Sequence, residues 1–270
     1  MVLRVGVILG SGRGSESTTG RVVEDLVVRL AARAPASSRP VVESVAANDI
    51  DLGPSCPACL SCMTSGEAAC PNYDPAAPVR RVLDHADVMV FATPVHSFQV
   101  SASMKRLIDH FAYLIHRPAY VGKPAVLIST AAGGGHDAAL GYLKTAVRRW
   151  GFHTVAQLGV NGPALARPAY RLKVERALDE VADTMVAAPG APEPRPTVAD
   201  LIGFRVARIL VDAGRAEGPA DAAYWDERGW FEADWWSDRK APFLANRVAR
   251  RVEAKIRTSI ERGAGEPYRG

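Results

Sequence analysis

The chain has 270 residues, 48% hydrophobic and 23% charged, with a formal net charge of +4. That length buries a full core, and the composition is that of an ordinary globular protein, not a disordered or fibrous one. A charge of +4 with no concentrated basic stripe argues against a nucleic-acid partner, and no eighteen-residue apolar run argues for a membrane span.

The first residues run into a strand without a charged leader and cleavage site, so a cytoplasmic, reducing compartment is expected, where cysteines stay thiolates. Leu3 to Leu9 is an apolar, β-branched run with little alternation, the pattern of a parallel strand buried on both faces. The loop Gly10-Ser-Gly-Arg-Gly-Ser-Glu-Ser-Thr-Thr19 follows, then a helical pattern from Thr18 to Arg33. Strand, Gly/Ser/Thr loop and helix form the layout of a phosphate cradle: backbone N–H groups and hydroxyls donate, and the helix N-terminus adds positive potential. The Walker lysine is absent and the glycines do not match the dinucleotide fingerprint, so a plain glycine-rich turn into an N-cap is the competing reading.

Ala34 to Pro40 reads as a linker and Val41 to Val45 as a second strand. Then come Cys56, Cys59 and Cys62, and after seven further residues Cys70-Pro71; all four cysteines lie within fifteen positions. Two-residue gaps ending in Cys-Pro match the way bacterial ferredoxins hold iron–sulfur clusters. Structural zinc pairs two Cys-x-x-Cys hooks or adds histidine across a longer gap, and a redox pair needs only two cysteines. The spacing favours a cluster and leaves zinc, or thiols and disulfides without metal, as alternatives.

Pro78 to Ala86 is predicted to be a short helix, Asp87 to Ala92 a third strand and Ala102 to Leu114 a helix, with the polar loop Thr93 to Ser101 between them. A fourth strand, Ala125 to Ser129, ends in Thr130-Ala-Ala-Gly133-Gly134-Gly135-His136 before a helix to about Trp150. Thr154 to Val160 is a fifth strand and Lys173 to Val186 its helix. This alternation predicts a doubly wound parallel sheet of about five strands, with three polar loops (10–19, 93–101, 130–136) on the ligand-binding rim. Residues 1–186 are expected to form that domain and the proline-rich 187–197 a linker. Residues 198–270 would make a helical extension, with helices from Val198 to Asp212 and Pro242 to Glu261 and four of the five tryptophans between 225 and 236. Those tryptophans suit a small satellite core, or a lid or oligomer contact, which is slightly favoured.

Three segments carry a family resemblance. Gly10-Ser11…Arg13…Ser17-Thr18-Thr19 resembles a Gly-Ser-Pro-Arg…Ser-x-Thr phosphate loop. Ala92-Thr93-Pro94-Val95-His96…Val100-Ser101-Ala102…Met104-Lys105…Ile108-Asp109 resembles an Ala-Thr-Pro-Val-Tyr…Ser-Ala…Lys…Ile-Asp segment, and the compact cysteines add a third match. Together they resemble the flavodoxin-like NAD(P)H-dependent FMN oxidoreductases, in the branch that includes the iron–sulfur flavoproteins. Gly12 stands where that family has proline, His96 where it has tyrosine, and the last cysteine gap is long.

The resemblance implies non-covalent FMN, its phosphate held by Ser11, Arg13, Ser17, Thr18 and Thr19. Pro94, Val95, His96 and Ser97 would support the isoalloxazine, and Gly133, Gly134 and Gly135 would offer N–H groups to its pyrimidine edge. His136 is a further candidate to approach the ring, whereas His85, His110, His116 and His153 read as helix or surface residues. Cys56, Cys59, Cys62 and Cys70 would hold a 4Fe-4S cluster. Electrons would pass from NAD(P)H through FMN and the cluster to a small-molecule or protein acceptor, in a homodimer or homotetramer. No catalytic side chain is assigned, because hydride moves between cofactors. The competing functions are a cluster-free FMN or quinone reductase, a non-enzymatic electron-transfer flavoprotein, and a redox- or metal-sensing module.

Overall fold

The computed structural model describes residues 2–34, 39–53 and 55–261. The chain divides into two compact units, Met1–Cys59 with Pro71–Ala191, and Leu60–Cys70 with Pro192–Gly270. The last part of the cysteine loop thus belongs with the tail.

In the first unit β1 (Arg4–Leu9), α1 (Thr18–Arg33) and β2 (Val41–Ala46) are followed in the second unit by the short α2 (Ser61–Thr64). The first unit resumes with α3 (Ala77–His85), β3 (Val88–His96), β4 (Gln99–Val100), α4 (Ala102–His110), β5 (Pro124–Ala131), α5 (His136–Arg149), β6 (His153–Asn161) and α6 (Pro168–Ala187). The parallel strands lie in the order β2-β1-β3-β5-β6, and β4 pairs with β3 at its end, antiparallel. The expected doubly wound five-stranded parallel sheet is present, with one short antiparallel strand added.

Alternation along β3 feeds two cores. Val88, Val90 and Ala92 join Val5, Val7 and Leu9 of β1 against Val22, Leu26 and Leu30 of α1 and Leu178 and Met185 of α6. Phe91 instead meets Phe152 at 5.4 Å and Trp150 at 6.2 Å, both edge-on. The central strands β1, β3 and β5 are buried on both sides, which is why they read as continuous apolar runs.

Three boundaries depart from the sequence reading by more than two residues. β3 continues past Ala92 to His96 because Val95 and His96 pair with β4 in a tight hairpin. The helix expected to reach Leu114 ends at His110 and gives way to a 3-10 turn, Ala112–Ile115. The helix expected from Lys173 starts at Pro168, where a proline at the first turn costs no hydrogen bond.

The second unit contains α2, α7 (Val198–Ala213), α8 (Pro219–Glu227) and α9 (Phe243–Glu261), with α2 against α8 and α7 against α9. Thr197 and Asp200 form a reciprocal capping box that starts α7. The tryptophans pack on one another and on Phe204: Trp225 stacks on it at 5.6 Å, Trp236 meets it edge-on at 4.5 Å, and Trp230 lies 4.7 Å from Trp236. Buried Arg205 donates to Glu253 at 2.7 Å and to Asp234 and Asn246 at 2.6 Å each, tying α7 to α9.

Candidate functional site

The strand order reverses between β1 and β3, and in open α/β sheets the ligand crevice lies outside the carboxyl ends at that point. The loop after β1 is fixed there by its neighbours. Gly10 N–H donates to Ala92 O at 2.7 Å, and Ser101 Oγ, the N-cap of α4, donates to Gly10 O. Thr93 Oγ1, fully buried, accepts from Ser101 N at 3.1 Å and donates to Pro94 O at 3.0 Å.

Ser17 caps α1, accepting from Gly20 N at 2.9 Å while donating to Gly14 O at 2.7 Å. Its hydroxyl is therefore committed to the frame. Thr19 is likewise committed, sharing a 2.6 Å hydrogen bond with Thr130 at the end of β5. The first-turn N–H groups of Thr18 and Thr19 point out of the helix end, where helix geometry gives them no internal partner. Arg13 is exposed beside them.

These loops surround a cavity of about 560 Å³, within the range of ligand pockets. It is lined by Ser11, Gly12, Arg13, Ser17, Thr18 and Thr19, by Pro94, Val95 and His96, and by Thr130, Ala131, Ala132, Gly162 and Pro163. Of the residues expected from sequence, Ser97, Gly133, Gly134 and Gly135 lie outside this lining. Gly133 is nonetheless tied to it, because Asn161 Nδ2 donates to Gly133 O at 3.1 Å and Gly162 N–H to Ala131 O at 2.8 Å. Gly135 has φ +92°, and a Cβ there would sit 2.9 Å from Val95 Cγ1 and 3.1 Å from Phe98 Cα. Thr130, Asn161, Gly162 and Pro163 were not singled out by sequence; the Asn-Gly-Pro run at a strand's end was the available signal.

The lining fits a phosphorylated planar ligand such as FMN. One end offers an arginine, a serine hydroxyl and a helix N-terminus, and a Cβ at Gly12 would meet nothing within 4 Å, so the backbone there is open to approach. The other end offers Pro94, Val95 and His96. His136 is turned to the frame: its Nδ1 shares a 2.7 Å hydrogen bond with Ser129 Oγ, and its ring covers Gly159.

The four cysteines are thiols, Cys56 and Cys59 exposed, Cys62 and Cys70 half-buried. Cys56 and Cys59 belong to the first unit, Cys62 and Cys70 to the second. Both neighbours of Cys59 hold a left-handed backbone, Ala58 at φ +53° and Leu60 at φ +59°. The donor chemistry suits a thiolate-bound metal, but among the described residues no three His, Cys, Asp or Glu side chains are gathered to hold one.

A parallel sheet of this order, with a phosphate-type loop at its switch point, defines a flavodoxin-like α/β protein. The family model described as NADPH-dependent FMN reductase matches residues 3–163, the stretch that carries the whole parallel sheet. The chain belongs to that family. It is 32% identical over 97 residues to the iron–sulfur flavoprotein of Archaeoglobus fulgidus, a match covering 36% of this chain and 43% of that relative's length. Among solved structures, Smu.1420 from Streptococcus mutans UA159 is similar at a TM-score of 0.52 and 11% identity, over 67% of this chain and 100% of that one. RosB with bound 8-demethyl-8-formylriboflavin-5′-phosphate is similar at 0.50 and 14%, over 69% and 79%. These two likenesses concern the fold alone. Among the described residues no helix is long and apolar enough to cross a membrane.

Proposed function

We propose that the chain holds FMN in the 560 Å³ cavity and moves electrons from NAD(P)H to a quinone, a free flavin or a redox protein. The observation that carries this reading is the convergence of three loops on that one cavity. When bound, FMN supplies hydride acceptance and the release of electrons singly or in pairs. Arg13, Ser11 and the N–H groups of Thr18 and Thr19 bind its phosphate; the Ser17 and Thr19 hydroxyls hold the loop in shape. Pro94, Val95, His96 and Ser97 position the ring. Gly133, Gly134 and Gly135, just beyond the lining, would present backbone N–H groups that favour negative charge on it. With a quinone, the hydride from NAD(P)H and one solvent proton together yield the hydroquinone, so the electrons balance without a side-chain acid. The test is NADPH oxidation by FMN-loaded protein with quinone, flavin and protein acceptors; absence of turnover with all of them would leave a non-enzymatic flavoprotein.

The finer reading adds a 4Fe-4S cluster on Cys56, Cys59, Cys62 and Cys70. Four closely spaced thiols and the name of the Archaeoglobus fulgidus relative support it, and a flavin site without metal is the alternative. Iron and sulfide quantitation after anaerobic purification decides between them. Near four irons per chain, lost in Cys59→Ser with FMN retained, supports the cluster; iron-free protein with full flavin turnover leaves the cluster-free reductase. Assembly as a homodimer or homotetramer belongs to the same proposal and is checked by light scattering.

A further inference from the structure

A second cavity, of about 340 Å³, lies in the first unit between α1 and α6. Its lining shares Thr18 and Gly162 with the cavity already described, so the two meet at the N-terminus of α1, the phosphate end of the flavin site. Gly162 puts no side chain in the way; a Cβ there would come 3.3 Å from Thr18 Cγ2 and 3.5 Å from Thr18 Oγ1. The floor of the second cavity is apolar, made by Leu165 with Val22, Val174 and Leu178, the last three each less than a tenth exposed. Arg21 and Arg171 stand on its rim, both exposed. Its two carboxylates are already engaged, Asp25 with Arg29 at 3.0 Å and Glu175 with Arg171 at 3.8 Å. Arg21 has no ion pair among the described residues. It follows Thr18 by three positions, on the same face of α1, so its charge stands beside the point where the cavities meet.

We propose that this second cavity seats the adenylate half of FAD, so that the chain binds the flavin dinucleotide more tightly than FMN. The inference rests on the flavin reading above. In FAD the second phosphate is joined directly to the phosphate of the FMN half, so the rest of the molecule leaves the first cavity at Thr18 and Gly162. Arg21 supplies a cation for that second phosphate, Arg171 a guanidinium able to stack on a base, and the apolar floor a surface for the flat face of adenine. A nicotinamide dinucleotide carries an adenylate too, but its reacting ring has to reach the flavin ring beside Pro94, Val95 and His96, at the other end of the first cavity.

The test is calorimetric titration of flavin-free protein with FMN and with FAD, for wild type and for Arg21→Ala/Arg171→Ala. Wild type is expected to bind FAD about tenfold more tightly than FMN, the scale of one charge-assisted hydrogen bond to phosphate. The double variant should lose that margin, while its FMN affinity, its melting temperature and, once loaded with FMN, its KM for NADPH match wild type. FAD binding no tighter than FMN in wild type overturns the proposal and leaves the FMN reading standing. An FAD affinity unchanged in the variant overturns it as well, and so does an equal loss for both flavins. A raised KM for NADPH also overturns it, because the cavity would then belong to the nicotinamide cofactor. A wild type that takes up neither flavin sinks the flavin reading, and this proposal with it.

Discussion

Thr19 Oγ1 and Thr130 Oγ1 share a 2.6 Å hydrogen bond between residues 111 apart in sequence, both almost wholly buried. It joins the first turn of α1 to the end of β5, two elements that both line the cavity. Thr19→Val leaves the Thr130 hydroxyl buried without its partner, at a cost of about 1–3 kcal/mol. The double variant Thr19→Val/Thr130→Val should lose less than the sum of the singles, because no orphan remains. Urea unfolding of the four proteins gives that coupling directly.

Arg13 is exposed, so Arg13→Ala should leave the fold intact. It should weaken FMN binding by about tenfold or more, the scale of a charge-assisted hydrogen bond to phosphate. Riboflavin, which lacks the phosphate, should bind both proteins alike. Calorimetric titration with the two flavins separates a phosphate contact from general damage.

Gly135 is the N-cap of α5 and needs its left-handed backbone. Gly135→Ala adds a Cβ that strains this φ and presses on Val95 and the Phe98 backbone. The expected loss is about 1–3 kcal/mol, seen in thermal unfolding, together with weaker flavin binding through displacement of the hairpin.

The second unit should be sensitive to acid. Burial pulls the Glu253 carboxyl upward, but hydrogen bonds and charge from Arg208 and Arg205 outweigh it and hold the group below its ordinary value of 4.5. Burial likewise opposes the bonds from Asn246 and Arg205 that hold Asp234 below 3.8. A carboxyl depressed in the folded state binds its proton more readily when unfolded. Its stabilisation is therefore complete above the ordinary value and is lost as pH falls through the folded one. Tryptophan emission, dominated by Trp225, Trp230, Trp235 and Trp236, should begin to change below about pH 4.5. Glu253→Ala should cost about 1–3 kcal/mol at neutral pH, because Arg205 keeps Asp234 and Asn246 but both it and Arg208 lose their bonds to the Glu253 carboxylate.

Much of the first unit was legible because its signals are local. Ser17 with an apolar stripe at four-residue intervals through Val22, Leu26 and Leu30 sets α1 at Thr18–Arg33, as expected from sequence. The continuous apolar strands announced the parallel sheet, and residues of the three loops expected on its rim line the cavity. The β3–β4 hairpin was hidden because its turn is Ser-Phe, without the Gly or Asn that such a turn normally advertises. The stretch Pro219–Glu227 was hidden because its apolar residues favour no single face. Thr130 and Asn161 escaped notice for another reason: what they do is join loops distant in sequence, which no local pattern records.

Titration of flavin-free protein with FMN, followed by the quenching of flavin fluorescence, bears most directly on the cavity. The account predicts saturation at one FMN per chain, with Arg13→Ala shifting the curve to higher concentration. Protein that leaves FMN emission unchanged at every ratio would contradict it.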